Sequence, residues 1–276
     1  MKKLVQINVT CNGSTGRIME QIQKKAIEEG YEAYSFYGRG KPSNDKCIKV
    51  DTKIEILWHV FISRIFNMQG HGSILATYRM IRKIKKINPD VIHLHNLHGY
   101  YLNYKILFKY LKKSNKNIIW TLHDCWAFTG HCAYYTFNKC DKWKNKNCIR
   151  CKYSTNYPKT FFLKNRSVKE YNLKKKMFTS IKKLKLTVPS NWLKKQVEMS
   201  FFKGRNIQII HNFIDIDVFK PTLDDSIKNK YHIEQNKKII LGVAAQWTIS
   251  KGIEYFKALS QIIDNEKETI VMVGLS

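Results

Sequence analysis

The strongest constraint on this chain is an alternation of short apolar, strand-like runs with amphipathic helical stretches, which starts at the N-terminus. Such alternation argues for a parallel sheet covered by helices on both faces. Leu4 to Val9 reads as the first strand. Ser14 to Glu29 reads as a helix with Ile18, Ile22 and Ala26 on one face, stopped by Gly30. Tyr31 to Tyr37 reads as a second strand, and helical stretches follow at Ile54 to Phe66 and Ser73 to Lys86. Val91 to His95 is a buried strand, Tyr104 to Leu111 a helix, and Ile118 to Leu122 a strand that ends in His123-Asp124. A basic helix over about Lys159 to Ser180 leads to the strand Leu184 to Val188, and Ser190 is placed to cap the next helix.

After the strand Ile207 to His211, residues Asn212 to Pro221 have the irregular character of a connection, and the pattern then restarts. Lys238 to Ala244 and Thr269 to Val273 read as strands flanking a helix from Lys251 to about Ile263. The expected organisation is a first domain over residues 1–212 and a second, incomplete one over 213–276. Two strands alone would leave sheet edge and apolar faces uncovered.

Two strands deliver histidines at their C-terminal ends: His93, His95 and His98 with Asn96 on one, His123 with Asp124 on the other. In doubly wound sheets that edge is where ligands bind. A histidine beside a carboxylate exchanges protons near neutral pH or hydrogen-bonds a sugar hydroxyl. A single histidine there is more readily a satisfied strand-end residue, whereas two clusters on one edge point to a site. Asn12-Gly13-Ser14-Thr15-Gly16 opens the first helix, where small residues let backbone amides approach a phosphate, although a plain tight turn uses the same residues.

Residues 125–157 lack periodicity and are too long for an ordinary connection, so an insertion with its own organising element is expected. Cys132, Cys140, Cys148 and Cys151 lie inside it, with His131 adjacent. Four thiolates at such spacing suit a tetrahedral structural zinc, and buried free thiols or a disulfide are the alternatives. With no signal peptide behind Met1-Lys2-Lys3 and no apolar run long enough to span a bilayer, a cytoplasmic location is expected, possible association with the inner membrane face aside, and its reducing conditions disfavour the disulfide.

The net charge of +28, from 49 Lys and Arg against 21 Asp and Glu, predicts attraction to polyanions. Biased codon usage would produce the same lysine excess, so charge alone selects no partner. A zinc-stabilised nucleic-acid-binding protein would use both the charge and the cysteines, but no nucleic-acid-reading motif is present and it explains neither the histidines nor the strand–helix alternation.

Taken together, NVTCNGSTGRIME (8–20), DVIHLHNLHGYYLN (90–103), TLHDCWAFTGHCAYY (121–135), the spaced cysteines, VPSNW (188–192) and IHNFIDIDVFKP (210–221) resemble glycosyltransferase family 4 of the bacterial polysaccharide-synthesis type. The resemblance implies an α/β fold of the GT-B type: an N-terminal Rossmann-like doubly wound sheet on the acceptor side and a second Rossmann-like domain on the donor side. It implies retaining transfer from a nucleotide-sugar donor to a saccharide or lipid-linked acceptor, with no catalytic metal and no nucleic acid. By the same resemblance His123 and Asp124 are catalytic, His95 and Asn96 face the acceptor, and Gly13, Ser14, Gly16 and Lys251 face the donor diphosphate.

Two departures follow from the resemblance. Where the family often carries an arginine a few residues before the Lys251-Gly252 pair, this chain reads Ala245-Gln246-Trp247. The family's Glu-x7-Glu segment would fall beyond Ser276, so a C-terminally truncated member is expected, and a non-catalytic remnant that binds acceptor or a partner is the alternative to an enzyme. The basic helix carrying Lys164, Arg166, Lys169, Lys174, Lys175 and Lys176 is expected to touch anionic lipid or simply face solvent.

Overall fold

A computed structural model describes residues 1–136, 139–145, 147–149, 151, 157–161, 166–222 and 226–275. The chain divides into two compact units, Met1–Phe213 and Ile214–Ser276.

The first unit is built on seven parallel strands: β1 (Lys3–Thr10), β2 (Glu32–Arg39), β3 (Cys47–Lys49), β4 (Val91–Leu94), β5 (Asn117–Thr121), β6 (Leu184–Val188) and β7 (Ile207–Ile209). Their order across the sheet is β3-β2-β1-β4-β5-β6-β7. The chain therefore winds outward from β1 in one direction and from β4 in the other, which puts the topological switch point between β1 and β4. With right-handed crossovers, α1 (Gly13–Glu28) lies on one face, and α4 (Tyr104–Ser114), α6 (Ser167–Phe178) and α7 (Asn191–Glu198) lie on the other. β1 is buried continuously from Leu4 to Val9 because it lies inside a parallel sheet covered on both faces. The sheet core joins Ile7, Phe36, Leu94, Phe108, Trp120 and Phe178, and each such side chain contributes about 1.5–3 kcal/mol by burial.

Several local expectations hold, and others shift for identifiable reasons. The Ser190 hydroxyl caps α7 by accepting from the Leu193 amide at 3.2 Å. In α1 the fully buried positions are Gly16, Met19 and Gln23, while Ile18, Ile22 and Ala26 are half-buried beside the sheet. A cavity of about 410 Å³ lies between those three side chains and sheet residues such as Val91 and Ile119. β3 was not anticipated; at three residues it is too short to register as a pattern.

Among the described residues, the insertion after β5 packs into the sheet core. A 3-10 turn at Trp126–Phe128 and the short α5 (Lys142–Asn145) place Trp126, Phe128, Tyr135 and Trp143 in the same core as the sheet. Trp143 packs on Phe128 and Tyr135 with ring centroids 5.1 and 4.9 Å apart. Aromatic packing thus joins the described residues of this segment to the sheet core.

The second unit contains α8 (Ser226–Lys230), α9 (Ile253–Leu259) and the parallel pair β8 (Lys238–Gln246) and β9 (Glu268–Leu275). Lys251 ends a 3-10 turn at Ile249–Lys251, so the helix expected from Lys251 starts two residues later. Leu241, Val243, Met272 and Val273 on this two-stranded sheet are exposed. No described helix is long and apolar enough to cross a membrane.

Candidate functional site

The residues after β4 and β5 meet at the C-terminal edge of the sheet, beside the β1/β4 switch point, where loops diverge and leave a crevice. Two buried polar residues on β1 organise it. Gln6 donates from Nε2 to the Met19 carbonyl at 2.9 Å, which fixes its amide orientation and turns Oε1 toward His95 Nε2, 3.3 Å away. Asn8 accepts the Asn96 backbone amide through Oδ1 at 3.2 Å.

These contacts determine a proton arrangement. Burial holds His95 well below its usual range, so its ring is neutral. Because Nε2 must donate to Gln6, Nδ1 carries the lone pair and accepts from His123 Nε2, 3.1 Å away. The two rings stack with centroids 5.4 Å apart and planes 15° apart. Burial lowers His123 to about 4, against the opposing pull of Asp124 and with a further lowering from His98, so this ring too is neutral near pH 7. With Nε2 as donor, His123 Nδ1 is a lone-pair acceptor, and it has no protein partner among the described residues.

Asp124 does not pair with its neighbour His123. Its Oδ2 lies 2.7 Å from His98 Nε2, and its Oδ1 accepts the Trp126 amide at 2.9 Å. Burial would raise this carboxyl, but the charge and hydrogen bond of His98 and the Trp126 amide hold it below its ordinary value. His98 Nδ1 meets the Tyr157 hydroxyl at 3.0 Å. His93 packs against the His95 ring with centroids 4.2 Å apart; burial lowers it to about 3, and its Nε2 pairs with Thr121 Oγ1 at 2.7 Å.

The predicted site residues therefore separate by role. His123 has a free acceptor nitrogen. His95 has both ring nitrogens engaged within the protein and only 1% exposure, with its Nδ1 against His123 Nε2. Asp124 is likewise fully engaged and orients His98. Asn96 is half-buried beside them. His98, already part of the strand-end histidine cluster, joins the network, and Gln6, Asn8 and Tyr157 complete it. Gln6 and Asn8 carry no sequence signal beyond a polar residue in an apolar strand.

Gly13 and Ser14 are exposed at the N-terminus of α1, where unsatisfied amides and the helix dipole favour an anion. Gly16 has a packing requirement of its own, since a Cβ there would lie 2.6 Å from the Cys11 carbonyl carbon. Lys251 is exposed in the second unit.

Behind the crevice a second buried polar cluster holds the segment that follows Asp124. Lys174 donates to the carbonyls of Trp126 and Thr129 at 2.8 and 3.1 Å, with its ammonium 3.6 Å from the Trp126 ring centroid. Burial pulls it down to about 7, opposed first by Glu170. Glu170 binds His71 and the Tyr104 hydroxyl; burial would raise it, but these partners and Lys174 hold it below the usual value. Lys174 is thus a core residue of α6, not part of a lipid-facing basic stripe. Lys164 of the expected stripe lies outside the described residues.

The four clustered cysteines also prove to be packing residues. With His131 and Trp143 they line a cavity of about 20 Å³, too small to admit more than one water. Among the described residues no group of three or more His, Cys, Asp or Glu side chains is placed to hold a metal ion, so the expected structural zinc does not fit. Burial pushes the Cys148 thiol up to about 11, against the Gly130 amide that donates to its sulfur. Cys132 is raised further, first by its hydrogen bond with Cys151 and then by burial. None of the seven cysteines forms a disulfide. Without zinc, the nucleic-acid-binding alternative loses one of its two supports.

Comparison with known proteins identifies the architecture. The chain is 28% identical over 169 residues to the Escherichia coli K12 protein named as a colanic acid biosynthesis glycosyl transferase, WcaC, covering 56% of this chain and 40% of that protein. Its fold superposes on Anabaena Alr3699/HepE, a structure in complex with UDP and glucose, with a TM-score of 0.54 and 11% identity, covering 100% of this chain and 62% of HepE. An E. coli trehalose-6-phosphate structure bound with UDP-2-fluoro glucose gives a TM-score of 0.50 at 12% identity, covering 99% of this chain and 64% of that one. The chain thus spans less than two thirds of each of these relatives. The α/β architecture is that of GT-B glycosyltransferases. The Glycosyltransferase Family 4 profile matches residues 16–218, well over half of the chain, and the chain belongs to that family.

Proposed function

We propose that this chain forms the acceptor side and part of the donor side of a retaining glycosyltransferase. It moves a sugar from a nucleotide-sugar donor to a saccharide or lipid-linked acceptor in cell-surface polysaccharide synthesis. The observation that carries this reading is the free Nδ1 of a neutral His123, held by His95 and Gln6 at the same sheet edge as the α1 N-terminus. Family membership and UDP-bound structural relatives support the substrate class.

In this reading the acceptor hydroxyl donates to His123 Nδ1, which turns an oxygen lone pair toward the sugar carbon under attack. An imidazole with a pKa of about 4 is a weak base, so it orients the hydroxyl and takes its proton only as the new bond forms. The leaving nucleoside diphosphate is met by the amides of Gly13 and Ser14, which Gly16 allows to lie close to the strand end, and within the second unit Lys251 is assigned to donor phosphate. Such fixed dipoles and charges stabilise the departing anion without reorganising. Asn96 is assigned to the acceptor.

UDP release from a panel of UDP-sugars, measured with and without added bacterial membranes as acceptor source, tests this. His123→Ala is expected to abolish acceptor-dependent release with the circular dichroism spectrum intact, and unchanged turnover would sink the assignment. Acceptor binding without any turnover by the wild-type chain would favour the binding-only remnant.

A further inference from the structure

A helix on a water-soluble domain ordinarily buries its apolar face. Helix α2 (Lys53–Phe66) departs from this: Ile56, Val60, Ile62 and Ile65 are half-buried, and a further apolar face is left outward. Its fully buried side chains are His59 and Ser63, while Ile54, Leu57, Trp58 and Phe61 are 79, 69, 60 and 49% exposed. Spaced at three and four residues, these four lie on one face. Trp58 and Phe61 stack on each other at 5.6 Å.

This orientation is pinned. His59 Nδ1 meets the Ser73 hydroxyl at 2.8 Å, and its Nε2 accepts the Gly70 amide at 3.0 Å. Gly72 lies so close to the His59 ring that a Cβ would come within 2.4 Å of it. Rotating α2 to hide its aromatics would break both hydrogen bonds and bury no replacement partner for the imidazole, so the apolar face stays outward.

Helix α3 (Ile74–Ile87) is tied to α2 by the Arg79–Glu55 ion pair. It exposes Leu75 and Tyr78 in its first turns and Arg82, Lys83, Lys85 and Lys86 beyond them. At the other end of α2, Arg64 lies over the exposed Phe161 ring. From Lys53 to Ile87 there are seven Lys or Arg residues and a single acid, Glu55, which is already engaged by Arg79 and the Thr52 cap.

We infer that the exposed face of α2 and α3 docks on an anionic lipid bilayer surface, with the Trp58–Phe61 face in the headgroup boundary and the α3 cations on the lipid phosphates. An aromatic and aliphatic face beside a cationic stripe matches that boundary, where indole and phenyl rings partition and anionic headgroups attract Lys and Arg. A second copy of the chain is disfavoured as occupant, because the same cationic stripe would face itself. The inference deepens the lipid-linked-acceptor reading by naming the surface involved. Docking is read without any transfer, so either can fail alone.

The test is co-sedimentation of the full chain with vesicles of phosphatidylcholine containing about one-third phosphatidylglycerol, at low salt and at about 1 M salt. The wild type is expected to bind at low salt and to bind phosphatidylcholine alone far less. The double variant Trp58→Ser/Phe61→Ser is expected to lose about tenfold or more in partitioning. Arg82→Glu/Lys86→Glu is expected to abolish the preference for phosphatidylglycerol, while Lys175→Glu/Lys176→Glu on α6 leaves binding unchanged. Circular dichroism checks the fold, and Trp58→Ser alone serves if the double variant unfolds. Wild-type-like binding by the folded Trp58 variants overturns the inference, as does equal binding to uncharged vesicles. A dimer without vesicles that Trp58→Ser dissociates would assign the face to a second copy and also overturn it.

Discussion

The strand-end histidines and the clustered cysteines look alike in the sequence, as groups of potential ligands or catalysts within a short span, yet they occupy opposite physical situations. The histidines lie at a sheet edge where polar residues from β1 reach them, and each hydrogen bond fixes the next proton until one acceptor nitrogen on His123 is left free. The cysteines lie among Trp143, Phe128 and Tyr135, where burial outweighs the Gly130 amide and Lys174 and keeps the Cys148 thiol protonated. Close spacing brings reactive groups together, but neighbouring donors and charges decide whether they are poised to act. Burial works in opposite directions on the two clusters: it lowers the imidazoles and raises the thiols.

The largest expected effect breaks the histidine side of this contrast. Asp124→Asn keeps the shape of the carboxylate but removes its charge from His98. Transfer should fall by about 100- to 10,000-fold while the fold survives, as read by UDP release and circular dichroism. Unchanged turnover would place Asp124 with the cysteines as a packing residue.

The next effect separates the clusters by pH. Between the folded pKa values of about 3 and 4 for His93 and His123 and their unfolded value of about 6.5, only the unfolded chain binds the protons. Stability therefore falls as pH drops through that window, by up to about 1.4 kcal/mol per pH unit for each histidine. Asp124 and Glu170, held below their ordinary values, lose their contribution as pH falls further, below about 4. The cysteines act on the other side. Cys148 stays protonated in the folded state up to about 11, so its stabilising contribution is lost as pH rises past the unfolded thiol value of about 8.5. Chemical denaturation from pH 4 to 10 should show a steep acid limb, and a flat acid limb would mean the imidazoles are not buried as described.

The smallest effects sharpen the cysteine side. Cys148→Ala should cost about 1 kcal/mol through lost packing. A strong chelator should leave the melting temperature of the wild type unchanged. A large chelator-dependent drop would restore a structural metal to the insertion.

The strand–helix order was legible because each element carries its own period, and strand ends can be read wherever a polar residue follows an apolar run. Both histidine clusters were found that way. Their wiring was not legible: Asp124 adjoins His123 in sequence but bonds His98, since successive residues leaving a strand point in different directions. Lys174 read as one cation in a basic stripe, because helical spacing does not show that Trp126 and Thr129 would present carbonyls to it. The insertion lacked periodicity and read as needing an organising element of its own, whereas its Trp126, Phe128, Tyr135 and Trp143 belong to the sheet core.

By itself the sequence determined the α/β class, the parallel sheet, the edge at which a site would form and the family, because these follow from local periodicity and from runs of residues that are contiguous in the chain. Only the tertiary structure decided which histidine keeps a free nitrogen, that the four cysteines pack without holding a metal, and that α2 turns its aromatics outward. Each of those outcomes depends on partners far away in the chain. Gln6 reaches His95 across 89 positions, and the groups that set burial and hydrogen bonding come together only when the sheet is assembled.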